Sequence, residues 1–147
     1  MASYFVQGSE IRLFDGSVKN IEDVIIGDIV LSQDENMGSH SSVTVNFLDL
    51  SSFLKDDVKI VTLSNGKEIV SHVDSKFVTI GVGNKFVSDL EVGDICIDVD
   101  GTQSTVVSVS PIDAEHGLFE DSTCGLYSIE FENSGLFFYS ETMLVSN

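Results

Sequence analysis

A chain of 147 residues with 24 acidic and seven basic side chains, net charge −17, has room for one domain with a real core and not for two. All seven basic residues lie between Arg12 and Lys85, leaving residues 86–147 with none; such a surface repels phosphate backbones and argues against nucleic-acid binding. The 42% hydrophobic content argues against disorder, no apolar run is long enough to span a bilayer, and the N-terminus lacks the pattern of a secretion signal, so a soluble, cytoplasmic monomer is expected.

Turn signals arrive at short intervals: Asp15-Gly16, Gly27-Asp28, Asn65-Gly66, the 81–84 stretch, Gly93-Asp94, Asp100-Gly101 and Ser134-Gly135. Asn-Gly and Asp-Gly supply the left-handed residues that tight hairpins need. Between them, β-branched and aromatic runs predict strands over Ile11–Phe14, Ile29–Ser32, Val43–Phe47, Val58–Leu63, Phe77–Ile80, Ile95–Val99, Thr105–Val109, Tyr127–Phe131 and Phe137–Val145. No apolar pattern of helical period persists, so the expected class is all-β. Gln33–Ser42, Ser51–Asp57 and Ile112–Thr123 read as the longest irregular stretches, the last acidic and mobile.

One segment recurs. IEDVIIGDIVLSQD over Ile21–Asp34 is echoed by VSDLEVGDICIDVD over Val87–Asp100, offset by 66 positions (87 − 21). Aspartates coincide at 23/89, 28/94 and 34/100, glycines at 27/93 and isoleucines at 29/95. Two copies at so long a spacing predict two related β units folded about a pseudo-twofold axis rather than a solenoid. Asp28 and Asp94 are expected to cap equivalent turns. Cys96, between two isoleucines, reads as core and Cys124 as part of a polar turn. Neither has the spacing of a zinc site or a redox motif, so no disulfide, metal or cofactor is expected.

Four pieces of the chain resemble the Hint fold of inteins and related autoprocessing domains. The stretch from Gly8 to Gly16, followed by Ile21–Ser32, is similar to the intein N-terminal motif. Val61–Gly66, with Glu68-Ile69 and on to Phe77, matches the second; Leu126–Phe131 with Phe137-Phe138-Tyr139 matches the penultimate; Met143-Leu144-Val145-Ser146-Asn147 matches the downstream junction. The resemblance implies a flat all-β horseshoe made of two related halves over residues 3–147. It also implies a mini-intein without a homing endonuclease, whose insertion or natural split would fall in the loop at about 112–123. Its partners would be the flanking extein segments in cis, or a complementary fragment if the chain is naturally split. It would reside wherever its host protein does. Serine at the upstream junction is similar to inteins of DNA polymerases, viral ones included.

Splicing of this kind needs a nucleophile at the first intein residue, and the family spacing from Ser9 lands on Tyr4, whose phenol no intein uses so. Ser3, one residue outward, is the preferred nucleophile if the first strand holds a one-residue insertion; Met1-Ala2 are then a remnant of the flanking segment or a leader. The other reading makes Ser3 part of that leader and Tyr4 the mark of a dead site. In the second motif the family grips the scissile amide with Thr-x-x-His. Here His72 stands at the threonine place and Ser75 at the histidine place, with Asp74 between them to orient the imidazole. At the downstream junction Asn147 would cyclise onto its own carbonyl, releasing the downstream segment. Two family histidines are replaced, one by Leu136 or Gly135, the other by Ser146, and the family aspartate by Ser128, so Ser146, water and backbone N–H groups must substitute. His116 is a weak substitute and His40 a solvated loop residue; Arg12 is expected to pair with a carboxylate. Two alternatives stay open: a non-catalytic Hint-like domain, such as a phage structural domain, and a Hint domain that only cleaves.

Overall fold

The computed structural model describes residues 3–33, 40–112, 119–120, 123–132, 137–141 and 143–146. The described strands are β1 (Phe5–Val6), β2 (Glu10–Arg12), β3 (Val18–Asn20), β4 (Ile29–Gln33), β5 (His40–Leu54), β6 (Val58–Leu63), β7 (Glu68–His72), β8 (Lys76–Thr79), β9 (Gly83–Phe86), β10 (Ile95–Ile97), β11 (Gln103–Pro111), β12 (Phe119–Glu120), β13 (Thr123–Phe131), β14 (Phe137–Ser140) and β15 (Met143–Ser146). Among the described residues there is no α-helix, only three single turns of 3₁₀ helix at Ile21–Asp23, Lys55–Asp57 and Val87–Asp89. The strands form one hydrogen-bonded path in the order β3-β2-β14-β15-β8-β10-β11-β6-β7-β1-β13-β5-β4, with β12 joined to β13 and β9 to β8. Strand pairing among the described residues is antiparallel, as hairpin turns dictate.

The all-β class is as read from the sequence, but local expectations change. Phe137–Val145 is not one strand but part of the β14–β15 hairpin, and Glu68–His72 is a strand outside the predicted runs. Within Ile112–Thr123, residues 119–120 pair with 123–124, while 113–118 and 121–122 lie outside the described residues. Ser51–Asp57 is not irregular: Ser51 and Ser52 continue the 15-residue β5, pairing with Leu126 and Gly125, before the 3₁₀ turn. Serines stand on both sides of this ribbon, Ser51 half-buried and Ser52 exposed, and such a polar run mimics a loop in sequence. Likewise 40–42 is strand, paired with 31–33, so His40 lies on β5, exposed, rather than in a loop. Cys124 is buried on β13 against Phe53 and Ile60, not in a polar turn.

The two copies of the repeat adopt the same local structure. Each begins with a 3₁₀ turn whose first N–H meets a serine carbonyl, Ile21 to Ser9 at 2.8 Å and Val87 to Ser75 at 2.9 Å. Each then turns at a glycine with positive φ, 98° at Gly27 and 100° at Gly93, and these N–H groups bond Val45 O (2.8 Å) and Val106 O (3.0 Å). Nothing lies within 4 Å of a Cβ placed at either glycine, so backbone conformation rather than space selects it. The aspartate that comes next accepts the N–H three residues back and a lysine: Asp28 takes Ile25 N (3.0 Å) and Lys19 Nζ (2.9 Å), and Asp94 takes Glu91 N (2.8 Å) and Lys85 Nζ (2.8 Å). The Ile25 N–H, then Lys19, hold the Asp28 carboxyl below its usual range, while for Asp94 Lys85 leads and the Glu91 N–H comes second.

Between the halves, Phe138 receives the edges or faces of Phe5 and Phe131, each at 5.9 Å between ring centres and steeply inclined. Such pairs add about 0.5–1.5 kcal/mol each beyond simple burial. The main core also takes Ile11, Val30, Ile69, Phe77, Cys96 and Val145 from strands distributed along the whole chain. Phe138 and Tyr139 are buried and Phe137 half-buried, as expected for that strand. Arg12 does not find a carboxylate among the described residues; its guanidinium donates to the Gly16 carbonyl at 2.8 Å, because the β2–β3 hairpin curls that carbonyl back over it.

Candidate functional site

Ser3 precedes the two-residue strand β1, which lies between β7 and β13 in the sheet path. Its side chain is 1% exposed. The Ser3 hydroxyl donates to the Ser146 carbonyl at 2.5 Å and accepts from the Lys76 N–H at 3.0 Å. Ser146, the last residue of β15, is itself buried and pairs with Phe137 on one side and Lys76 on the other. Asn84 Nδ2 donates to Ser146 Oγ at 3.4 Å. Asn147 lies outside the described residues, but the carbonyl to which its nitrogen is attached is the one that Ser3 engages. The two extremities of the described chain therefore meet in one interior cleft.

The second-motif residues sit next to Tyr4 rather than Ser3. Ser75, fully buried, accepts the Tyr4 N–H and donates to the Tyr4 carbonyl, both at 2.9 Å. The amide held at the place the family gives to histidine is thus that of Tyr4, one residue beyond the Ser3 amide. His72 does not turn toward Ser3. Its ring packs on Phe53, 4.4 Å between centres, and its Nδ1 accepts the Asp74 N–H at 3.1 Å, with the Asp74 carboxylate 3.9 Å away. The alternation of an extended strand explains this: His72 N bonds Tyr4 O, so its side chain shares the face on which Tyr4 points, opposite to Ser3. His40 lies edge-on to Tyr139 at 5.8 Å, and His116 is outside the described residues. No imidazole is hydrogen-bonded to Ser3 among the described residues.

Tyr4 has partners that spacing does not reveal. Its phenol donates to Asp49 Oδ2, which also accepts Ser51 Oγ at 2.6 Å. Burial first, then the bond to Asp49, pushes the phenol above its usual range, whereas Ser51 and then Tyr4 pull the Asp49 carboxyl down. Ser128 pairs with Asp49 across β13–β5 and keeps a hydroxyl without a partner among the described residues. The signals for Asp49, Asn84 and the Lys76 N–H were absent from any motif, because each acts through a register that only the folded sheet creates.

Chemically, the cleft offers a hydroxyl with one N–H donor and one carbonyl acceptor and, among the described residues, no base in contact. A serine so placed is an alcohol, not an alkoxide, and its reactivity depends on how the bond it attacks is held. Among the described residues no group of three His, Cys, Asp or Glu side chains could bind a metal ion, and no helix is long and apolar enough to cross a membrane.

No protein-family model and no curated protein matches this sequence. Solved structures do resemble it along essentially its full length. A bacterial intein-like domain from Clostridium thermocellum superimposes with a TM-score of 0.82 at 21% identity, covering 98% of both chains. The gp41-1 intein gives 0.77 at 21% identity over 100% of each chain. A DnaB intein from Synechocystis sp. PCC 6803 gives 0.80 at 16% identity over 99% of this chain and 98% of that one. The fold is therefore that of the Hint/intein domains.

Proposed function

We propose that residues 3–147 form a protein-splicing domain that acts once, in cis, on the segments flanking it, with serine at the upstream junction. The observation that supports this reading is the bond from the Ser3 hydroxyl to the Ser146 carbonyl, which brings Ser3 beside the peptide group that precedes Asn147. In the first step Ser3 Oγ adds to the carbonyl carbon of residue 2. The new C–O bond replaces the C–N bond, and the hydroxyl proton ends on the Ser3 nitrogen. The Lys76 N–H, 3.0 Å from Oγ, holds that oxygen in place for the attack. The acyl group then passes to a Ser, Thr or Cys after Asn147. Asn147 cyclises through its side-chain nitrogen, and the freed ester rearranges to an amide.

Ser75 supports the step indirectly, by fixing the residue after the nucleophile, and Ser146 by orienting the peptide group before Asn147. His72 and Asp74 stand behind Tyr4 and bear on the first step only through it. Each absent acid or base costs about 10²–10⁴-fold in rate, so slow splicing is expected.

A second reading, a chemically silent Hint scaffold, is favoured by one observation: the hydroxyl at the histidine place grips the Tyr4 amide, not that of Ser3. One experiment separates the two. Reporter domains are fused to both ends, with a serine after Asn147. A joined reporter pair that disappears in Ser3→Ala and Asn147→Ala supports splicing; two free reporters mean cleavage alone; an intact precursor after days leaves the silent scaffold.

A further inference from the structure

We propose that Tyr4, at the place where the family spacing expects a nucleophile, is a positioning residue: its phenol, tied to Asp49, fixes β1 so that the Ser3 hydroxyl stays on the Ser146 carbonyl. The inference rests on the splicing reading for its catalytic consequence, but the positioning itself stands on geometry alone.

β1 is too short to hold itself in place. Phe5 and Val6 pair with Tyr127 and Leu126, and Phe5 alone pairs with Ser71. Tyr4 supplies the rest of the fastening. Its carbonyl accepts both the His72 N–H at 3.1 Å and the Ser75 hydroxyl, and its N–H goes back to Ser75. Its ring meets Phe53 edge-on at 4.9 Å, and Phe53 in turn carries His72. The phenol ends on Asp49 of β5, a carboxylate that Ser51 steadies from the same strand. A hydroxyl bonded to an ionised carboxylate is roughly twice as strong a link as a neutral pair.

Consecutive side chains of an extended segment point to opposite faces. Pinning the Tyr4 side chain on the outer face therefore sets the rotation of the strand and aims Ser3 at the inner one. A slip or twist that freed the phenol would carry the Ser3 hydroxyl off both Lys76 N and Ser146 O. The direct opposition of Ser128 and Asp49 adds a reason for the arrangement. The carboxylate that the resemblance expects at position 128 is supplied from the facing strand, where it meets the Tyr4 phenol. Tyr4 thus trades a nucleophile for an anchor.

The test uses the full chain with reporter domains, comparing Tyr4→Phe, which keeps the ring on Phe53, with Asp49→Ala and the double variant. The first readout is amide hydrogen exchange at Lys76, whose N–H reports the Ser3 bond. We expect exchange at least tenfold faster in each single variant, no further gain in the double, and unchanged amides in β6. The second is the ratio of upstream cleavage to Asn147 cyclisation, expected to fall at least fivefold because the upstream step loses the placement of its nucleophile while the Asn147 peptide loses one contact. Unchanged Lys76 exchange in both single variants would overturn the proposal, as would additive effects in the double or equal slowing of both junctions. If the parent fusion never cleaves, the splicing reading fails by itself, and Lys76 exchange alone then decides for or against the anchor.

Discussion

Ser3 and Ser146, 143 positions apart in sequence, share one hydrogen bond in the interior of the sheet. That contact closes the described chain upon itself, so the surroundings of Ser3 are supplied in part by the last strand.

The imidazole of His72 is engaged with Phe53 and the Asp74 N–H, on the face away from Ser3. His72→Phe should keep the aromatic contact and change the rate of upstream cleavage less than threefold, measured by gel densitometry of the reporter fusion. A drop of tenfold or more would show that the imidazole reaches the junction during the reaction.

The repeated lysine–aspartate pairs are expected to stabilise both halves, unequally. Lys85 and Asp94 have side chains 19% and 20% exposed, against 35% and 16% for Lys19 and Asp28. Solvent screening keeps pairs of this sort modest, and the better covered one counts for more. Asp94→Ala should therefore lower the urea midpoint, and Asp28→Ala should lower it by less. Both carboxyls titrate lower in the fold than the ordinary 3.8. Their contribution is complete above that value and fades as the pH falls below it. The gap between parent and variant should thus be wide at pH 6 and narrow progressively as the pH falls below 3.8.

Glu141 runs the other way. It has a left-handed backbone, φ 50°, in the β14–β15 turn, and its carboxylate accepts the Glu10 N–H at 3.2 Å. Burial, the largest cause, raises its carboxyl above the ordinary 4.5. The folded state therefore prefers the protonated form, and stability is lost as pH rises from the ordinary value through the folded one. Glu141→Gln keeps the acceptor without the charge. It should raise Tm by about 2–4 °C at pH 7, on the order of 1 kcal/mol, and by nothing near pH 3.5; a uniform gain at both pH values would refute the assignment.

Both thiols are shielded. Burial pushes Cys96 up to about 11, and Cys124 is also raised by burial. Neither should react with a disulfide reagent at pH 7.5 within an hour in the native protein, and both should react at once in guanidinium. Prompt labelling of the folded chain would contradict the buried placement.

Much of the architecture was legible in the residues themselves. The Gly27-Asp28 and Gly93-Asp94 echoes identified two turns that the fold builds from the same bonds, because a positive φ and a capping carboxylate are local requirements. Strand placement came in part from β-branched runs, but Glu68–His72 lay outside them, Phe137–Val145 folds as a hairpin, and the polar runs Ser51-Ser52 and His40–Ser42 disguised β5. The site was less legible. Ser3 and Ser146 could be named from motif position, but the partner of each is fixed by registers between strands far apart in sequence. The side Tyr4 faces, and hence its tie to Asp49, could not be derived from spacing, since a shift of one residue exchanges inner and outer faces.

The placement of β1 also bears on synthesis. A segment made first is inserted between strands made in the middle and near the end, and its neighbour Ser3 waits for residue 146 to leave the ribosome. Folding of so non-local a sheet is slow compared with local pairing, so the contact between Ser3 and Ser146 forms only after the last described strand has been made.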